Sequence, residues 1–307
     1  MTPAERAPDV LVLGGGGILG EAWMSSVLTG IERAGGFAAA HSGTFVGTSA
    51  GSIVAAMLAA GVDPAARLGD LPEPPPAGDG AFDDEANGDA LTAVAQGVAG
   101  PVAAVLLNTI APGGRFVRRT ALARVPPGAR SLRGLGRTLD AAGARFDGRL
   151  LVSAVDVDSG ERVMFGAPDA PSASVGEAVE ASCAIPGVFA PVTISGRDYV
   201  DGGVWSPTNM DAVDAGRGDR VVCLNPTGSM RASGGSRLGW LGPLSRTAAA
   251  VEAAALRRRG CEVTVIAPDT NSADAMGTNL MSTGARDAVI DAGFAQGASL
   301  AGTLTPA

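Results

Sequence analysis

Lysine is absent: all 23 basic residues of this 307-residue chain are arginine. With the abundant alanine and glycine this reads as a coding bias toward GC-rich codons, and no function is drawn from it. Positive charge is in deficit, with a formal net charge of −8 at pH 7. No excess is left to neutralise phosphates across a surface, which argues against general nucleic-acid binding. Cysteine is scarce. Cys183, Cys223 and Cys261 are odd in number and show no CxxC or metal-ligand spacing, which suits a reducing cytoplasm and gives no reason to expect a metal or cofactor. Glu5 and Arg6 precede the short apolar run Val10–Leu13, which is not the pattern of a signal peptide. Uncharged length is rare too. Ala90–Gly114 could cross a bilayer on paper, but Gln96, Gly97, Gly100, Pro101 and Asn108 interrupt it, so one or two moderately apolar helices are expected there.

Apolar residues make up 46% of the chain, enough for one sizeable α/β core or two small ones. Strand-like and helix-like segments alternate. Asp9–Leu13, Thr44–Val46, Arg149–Val157, Arg162–Phe165, Arg220–Leu224 and Glu262–Ile266 read as strands, with a hairpin over Val192–Val200 turning at Ser195-Gly196. Glu21–Ala34, Ile53–Ala60, Val175–Ala181, Thr247–Arg259 and Ala285–Ser299 read as helices. This alternation predicts a mainly parallel sheet with helices on both faces. Residues 62–144 break it. They begin Pro-rich and acidic (Asp63, Asp70, Glu73, Asp79, Asp83, Asp84, Glu85, Asp89) and end basic (Arg115, Arg118, Arg119, Arg124, Arg130, Arg133, Arg137). The stretch reads either as a solvated loop with some helix or as a lid that admits acyl chains and offers arginines to an anionic head group.

Gly47-Thr48-Ser49-Ala50-Gly51 puts a hydroxyl between two glycines where a buried strand passes into a helix. That is the pattern of a nucleophile elbow, whose glycines remove the Cβ atoms that would crowd a sharp turn. A second glycine-rich stretch, Gly14–Gly20, joins the first strand to the first helix. Gly15-x-Gly17-x-x-Gly20 matches the dinucleotide fingerprint, yet the second strand ends in Gly47-Thr48-Ser49 rather than the acidic residue that would hold a ribose. A phosphate-binding loop is disfavoured because Glu21-Ala22 follows Gly20 where Lys and Ser or Thr would stand. A structural turn stays open, as does a cradle of N–H groups for the oxyanion of an acyl intermediate.

A serine nucleophile needs a base. The single histidine, His41, lies eight residues before Ser49, ahead of the intervening strand, so on the order of 25 Å of extended chain separates them. The base should be a carboxylate. Asp201-Gly202-Gly203 follows a probable strand and places Asp201 at a strand end, where open α/β sheets build sites.

In these residues the chain resembles the patatin-like phospholipases. The glycine-rich loop, the Gly-x-Ser-x-Gly elbow and the Asp-Gly-Gly turn occur in the family's order. Ala181-Ser182-Cys183-Ala184-Ile185-Pro186 resembles the family's Ala-Ser-x-Ala-x-Pro segment. The resemblance implies one three-layer α/β/α domain over 1–307, with a partly helical lid-like insertion at 62–144. It implies a dyad in which Ser49 attacks the ester carbonyl and Asp201 takes its proton. The N–H groups of Gly15, Gly16, Gly17, Ile18 and Ala50 would hold the oxyanion, and Gly20, Gly47, Gly51, Gly202 and Gly203 complete the motifs. No cofactor is implied. The substrate would be a lipid carboxylic ester, cleaved in the manner of a phospholipase A or lysophospholipase, in the cytoplasm or at a membrane surface touched by the insertion. General carboxylesterase, thioesterase, acyltransferase and non-enzymatic lipid binding remain alternatives. One position departs from the family: Leu19 stands where Arg or Lys is usual, and Arg115 or Arg118 of the insertion is a candidate substitute.

Overall fold

Val10–Leu13 (β1) is buried along its whole length, because its side chains serve two cores at once. Leu11 and Leu13 join one hydrophobic cluster while Val10 and Val12 join another, the alternation that a strand covered on both faces must show. The computed structural model describes residues 2, 7–69, 114–128, 130–230 and 241–304. Within them, Thr44–Gly47 (β2) and Arg220–Leu224 (β7) pair with β1 in parallel. Leu150–Asp156 (β3) extends the sheet beyond β2, and Glu262–Ile266 (β8) extends it beyond β7, both in parallel. Arg162–Phe165 (β4) and Arg197–Asp201 (β6) pair antiparallel with β3, and Val192–Ile194 (β5) pairs antiparallel with β6. The path is β5-β6-β3-β2-β1-β7-β8. The predicted hairpin is there, with Ser195 and Gly196 both at positive φ, 51° and 77°, as a tight two-residue turn between twisted strands requires.

Helices cover both faces, as the alternation predicts. Gly17–Arg33 (α1), Ala50–Ala59 (α2) and Val175–Cys183 (α5) supply Leu28, Ile31, Val54, Leu58, Ala178 and Val179 to the larger cluster. Leu241–Arg258 (α6) closes the other face with Ala249, Ala253 and Leu256. The insertion contributes Gly114–Leu122 (α3) and Arg133–Ala141 (α4); the acidic segment from Asp70 and nearly all of the uncharged stretch lie outside the described residues. Thr270–Met276 (α7) is a short helix that the sequence pattern did not predict, capped by Asp269, whose Oδ1 accepts from the N–H of Ser272 at 2.8 Å. Arg286–Leu300 (α8) crosses α1 at backbone distance. Side chains in place of Gly30, Gly293 or Gly297 would run into Phe294 O, Ser26 Oγ and Val27 O respectively. The crossing is locked by Gln296, whose Oε1 accepts from Trp23 Nε1 at 2.9 Å.

Two helices start earlier than apolar periodicity suggests, α1 at Gly17 instead of Glu21 and α2 at Ala50 instead of Ile53. The first turn of α2 is Ala50-Gly51-Ser52, all small, while that of α1 sets Ile18 and Leu19 between Gly17 and Gly20. Small residues carry no apolar period and clustered glycines read as loop, so in both cases the pattern reveals the helix only after its first turn. Among the described residues no helix is long and apolar enough to cross a membrane.

Candidate active site

Three pairings made by β3 bring the motifs together. β4 takes residues 152–155 of β3 and β6 takes 154–156, so these two share positions and lie on opposite edges. β2 takes 150–152 and shares Val152 with β4, so it lies on the same edge as β6. Hence β2 and β6 meet end to end along one edge of β3. Gly47 pairs with Val152 and Asp201 with Ala154, leaving only Ser153 between the C-terminal ends of the strands that carry Ser49 and Asp201. The Ser153 hydroxyl bonds Thr48 Oγ1 at 2.9 Å and Gly47 O at 3.2 Å.

Ser49 itself sits at φ 51°, ψ −125°, a conformation that an L-residue reaches only at a cost of about 1–3 kcal/mol. The flanking glycines are needed for contact distance. At Gly47 a Cβ would press on the backbone of Ser52, and at Gly51 it would fall inside Leu13 O. The elbow is held open from the side by Ser182, whose Oγ accepts from Ser49 N at 2.9 Å. Ser182 is fully buried on α5, and its neighbour Cys183 brings Sγ within 3.9 Å of Ser52 Oγ. Burial and the nearby Asp201 raise the Cys183 thiol well above its ordinary range, so it stands beside Ser49 as a neutral, inert group.

Asp201 is 6% exposed. Burial pushes its carboxyl up to about 6, against the opposing effect of hydrogen bonds from Ser49 and from the Gly203 N–H, the latter 2.7 Å from Oδ1. A carboxylate next to a serine hydroxyl, with a pKa near 6, is ionised at neutral pH yet basic enough to accept a proton. Gly202 must be glycine because a Cβ there would meet Ser153 Oγ.

The glycine-rich loop flanks the serine: a Cβ on Gly15 would lie 3.4 Å from Ser49 Cβ. The loop's N–H groups are not equivalent. Gly15, expected among the oxyanion donors, gives its N–H to Pro207 O at 2.9 Å, and that expectation is corrected. Leu19 donates to Leu280 O at 3.0 Å and Gly20 to Gly16 O at 2.9 Å. The N–H groups of Gly16, Gly17, Ile18 and Ala50 have no protein partner among the described residues. They occupy the starts of α1 and α2, where orphan donors and the helix dipole favour an anion. Gly17 has φ +61°, and Gly20 packs closely on Pro226, whose Cβ would lie 3.1 Å from a Cβ added there.

His41 does not reach the site. It is exposed, on a single helical turn before β2, and acts electrostatically on Glu32 in the last turn of α1. Ser49 borders the first turn of that 17-residue helix, roughly 25 Å away at 1.5 Å per residue. Leu19 is fully buried in the core, so no charge can stand there without leaving it. Arg118 is 2% exposed and committed elsewhere: its Nε donates to Gly160 O at 2.9 Å and its guanidinium lies 3.8 Å from the centre of the Trp205 ring. Sequence reasoning missed Asn209, Ser153 and Glu252, buried polar residues that tie the site together. Their only sequence signal is that Asn209 follows Asp201 by eight residues.

A family model described as patatin-like phospholipase matches residues 11–214. Among solved structures, the chain is similar to VipD from Legionella pneumophila at 16% identity and a TM-score of 0.44, covering 96% of this chain and 67% of that one. It is also similar to the type III effector protein ExoU at 16% identity and a TM-score of 0.40, covering 97% of this chain and 53% of that one. It thus spans about half the length of ExoU. No curated protein matches.

Proposed function

The chain belongs to the patatin-like phospholipase family, a family of lipid-ester hydrolases, and from that premise we propose that Ser49 and Asp201 are its catalytic dyad. The observation that carries the proposal is the junction of β2 and β6. It sets a serine with positive φ against a buried carboxylate whose pKa is raised to about 6.

In the first half-reaction Asp201 takes the Ser49 proton as Oγ attacks the ester carbonyl. The oxyanion that forms is held by the N–H groups of Gly16, Gly17, Ile18 and Ala50, a fixed dipole array that needs no reorganisation. Collapse expels the alcohol, which leaves with the proton from Asp201. Water then attacks the acyl-enzyme, passes a proton to Asp201, and the acid departs as Ser49 recovers its hydrogen. The substrate class is a phospholipid or lysophospholipid acyl ester. The described arginines of the insertion, with Arg119, Arg124, Arg133 and Arg137 exposed, favour contact with an anionic membrane surface by a cytoplasmic protein, with residues 62–144 acting as a lid.

The test is an ester panel of varied chain length and head group, with and without anionic vesicles, run together with fluorophosphonate labelling of wild type and Ser49→Ala. Labelling that depends on Ser49 and turnover that rises on vesicles is the expected result. Absence of Ser49-dependent labelling would favour the second reading, a lipid-binding protein on the same scaffold, which Leu19 makes reasonable by removing the family's usual positive charge.

A further inference from the structure

The segment Ser206–Met210 touches every part of the site. Its Pro207 carbonyl accepts from Gly15 in the glycine-rich loop at 2.9 Å. Asn209 lies at its centre, fully buried and in the left-handed region at φ 51°, ψ 28°, which asparagine tolerates better than most residues. Asn209 Nδ2 is 3.0 Å from Thr48 Oγ1, 3.2 Å from Ser153 Oγ, 3.3 Å from Gly202 O and 2.7 Å from Ser206 O. Two of these are carbonyls, which can only accept, so the nitrogen must face this way. Its two hydrogens are therefore shared among four acceptors: Ser206 O of its own loop, the residue before Ser49, the residue after Asp201 and the β3 serine between them.

The amide is itself pinned. Its Oδ1 accepts from Arg162 Nη1 at 3.3 Å. Ser206 Oγ accepts from the N–H groups of Thr208 and Asn209, each at 3.2 Å. Glu252 of α6 accepts from Thr208 Oγ1 at 2.5 Å and from the Met210 N–H at 2.9 Å. A loop that served only to close the chain would need none of these bonds to converge on the elbow.

We propose that Asn209 is a positioning residue that holds the Ser49 elbow and the Asp201 turn at the separation required for proton transfer. The inference rests on the dyad reading above. Asn209 touches no reacting atom; it acts through Thr48 and Gly202, and misplacement by a fraction of an ångström at the dyad is enough to slow the reaction.

The test uses Asn209→Gly, which keeps the left-handed backbone and deletes the amide, and Thr48→Val, which deletes the acceptor on the elbow at nearly constant volume. Each should lower kcat by about 10- to 100-fold with KM changed less than about twofold, and should slow fluorophosphonate labelling in proportion. The acid limb of kcat/KM should move to higher pH, since a looser hydrogen bond from Ser49 stabilises ionised Asp201 less; mere loss of folded protein would leave that midpoint in place. The double variant should be no slower than the slower single one. If Asn209→Gly fails to fold, Thr48→Val decides alone. Wild-type kcat and labelling, an unmoved acid limb, or effects that multiply in the double variant would overturn the proposal. Ser49→Ala, assayed beside them, separates the two ideas. Activity in Ser49→Ala means the dyad reading has failed, whereas an inactive Ser49→Ala with a normal Asn209→Gly means that only the positioning role has.

Discussion

Burial gives Asp201 its proton affinity and makes it a burden to the fold. Desolvation raises its carboxyl to about 6, above the ordinary 3.9 or so of a free aspartate. Between those values the folded protein holds a proton that the unfolded chain has lost, so stability falls as pH rises from about 4 to 6 and stays lower above that. The difference corresponds to about 3 kcal/mol once Asp201 is fully ionised. Asp201→Asn should therefore melt higher than wild type at pH 8, with the gap closing toward pH 4, as thermal unfolding across that range would reveal; equal melting points at pH 8 would contradict the assignment of a strained, ionised carboxylate. The same substitution should lower kcat on the order of 10⁴-fold, and Ser49→Ala on the order of 10⁶-fold. On the dyad proposal, in which ionised Asp201 is the base, wild-type kcat/KM should fall on the acid side with a midpoint near 6. His41→Ala should change activity less than about twofold, since the ring stands at the far end of β2 from Ser49; steady-state kinetics check it.

At the scale of elements, the close approaches between backbones decide what can be exchanged. The elbow packs α2 against β1 so tightly that Gly51→Ala would drive a methyl group into Leu13 O, and a loss of several kcal/mol, read as insoluble or unfolded protein, is expected. The α1–α8 crossing behaves alike. Gly297→Val should destabilise by at least about 2 kcal/mol in denaturant titration, and an unchanged midpoint would show that the two helices do not cross this closely. The element boundaries were legible in the sequence where apolar residues alternate or recur, as in β1, β7 and the body of α1. They were illegible at the starts of α1 and α2, where the motif glycines and small residues read as loop, and at α7, whose seven residues are too few for a periodic signal.

On the scale of the whole molecule, an acidic chain carries one basic stretch, the C-terminal part of residues 62–144. The chain carries a net charge of −8, yet α3, α4 and their flanks expose Arg119, Arg124, Arg133, Arg137 and Arg145. Replacing these five by serine should weaken binding to anionic vesicles by at least about tenfold, on the scale of roughly 1 kcal/mol for each charge near the surface, and leave turnover of a soluble short-chain ester unchanged. Vesicle sedimentation and a soluble-ester assay together check this.

Sequence alone was enough to single out Ser49, Asp201 and the glycines as candidates, because each proposed role asks for a particular residue in a short local context: no Cβ beside a sharp turn, a carboxylate at a strand end. It was also enough to predict a parallel sheet covered on both faces, since that arrangement imposes its periods on every strand and helix. Only the tertiary structure decided which N–H groups are left for an oxyanion, because Gly15 loses its own to a carbonyl 192 residues away in the chain. It alone revealed Asn209, Ser153 and Glu252, whose importance lies in partners distant in sequence. It also retired Arg118 as a substitute for the missing charge at Leu19, by committing that guanidinium to Gly160 and Trp205. Local chemistry can be written in a motif, whereas the pairing of donors and acceptors is settled when β2 and β6 meet along β3.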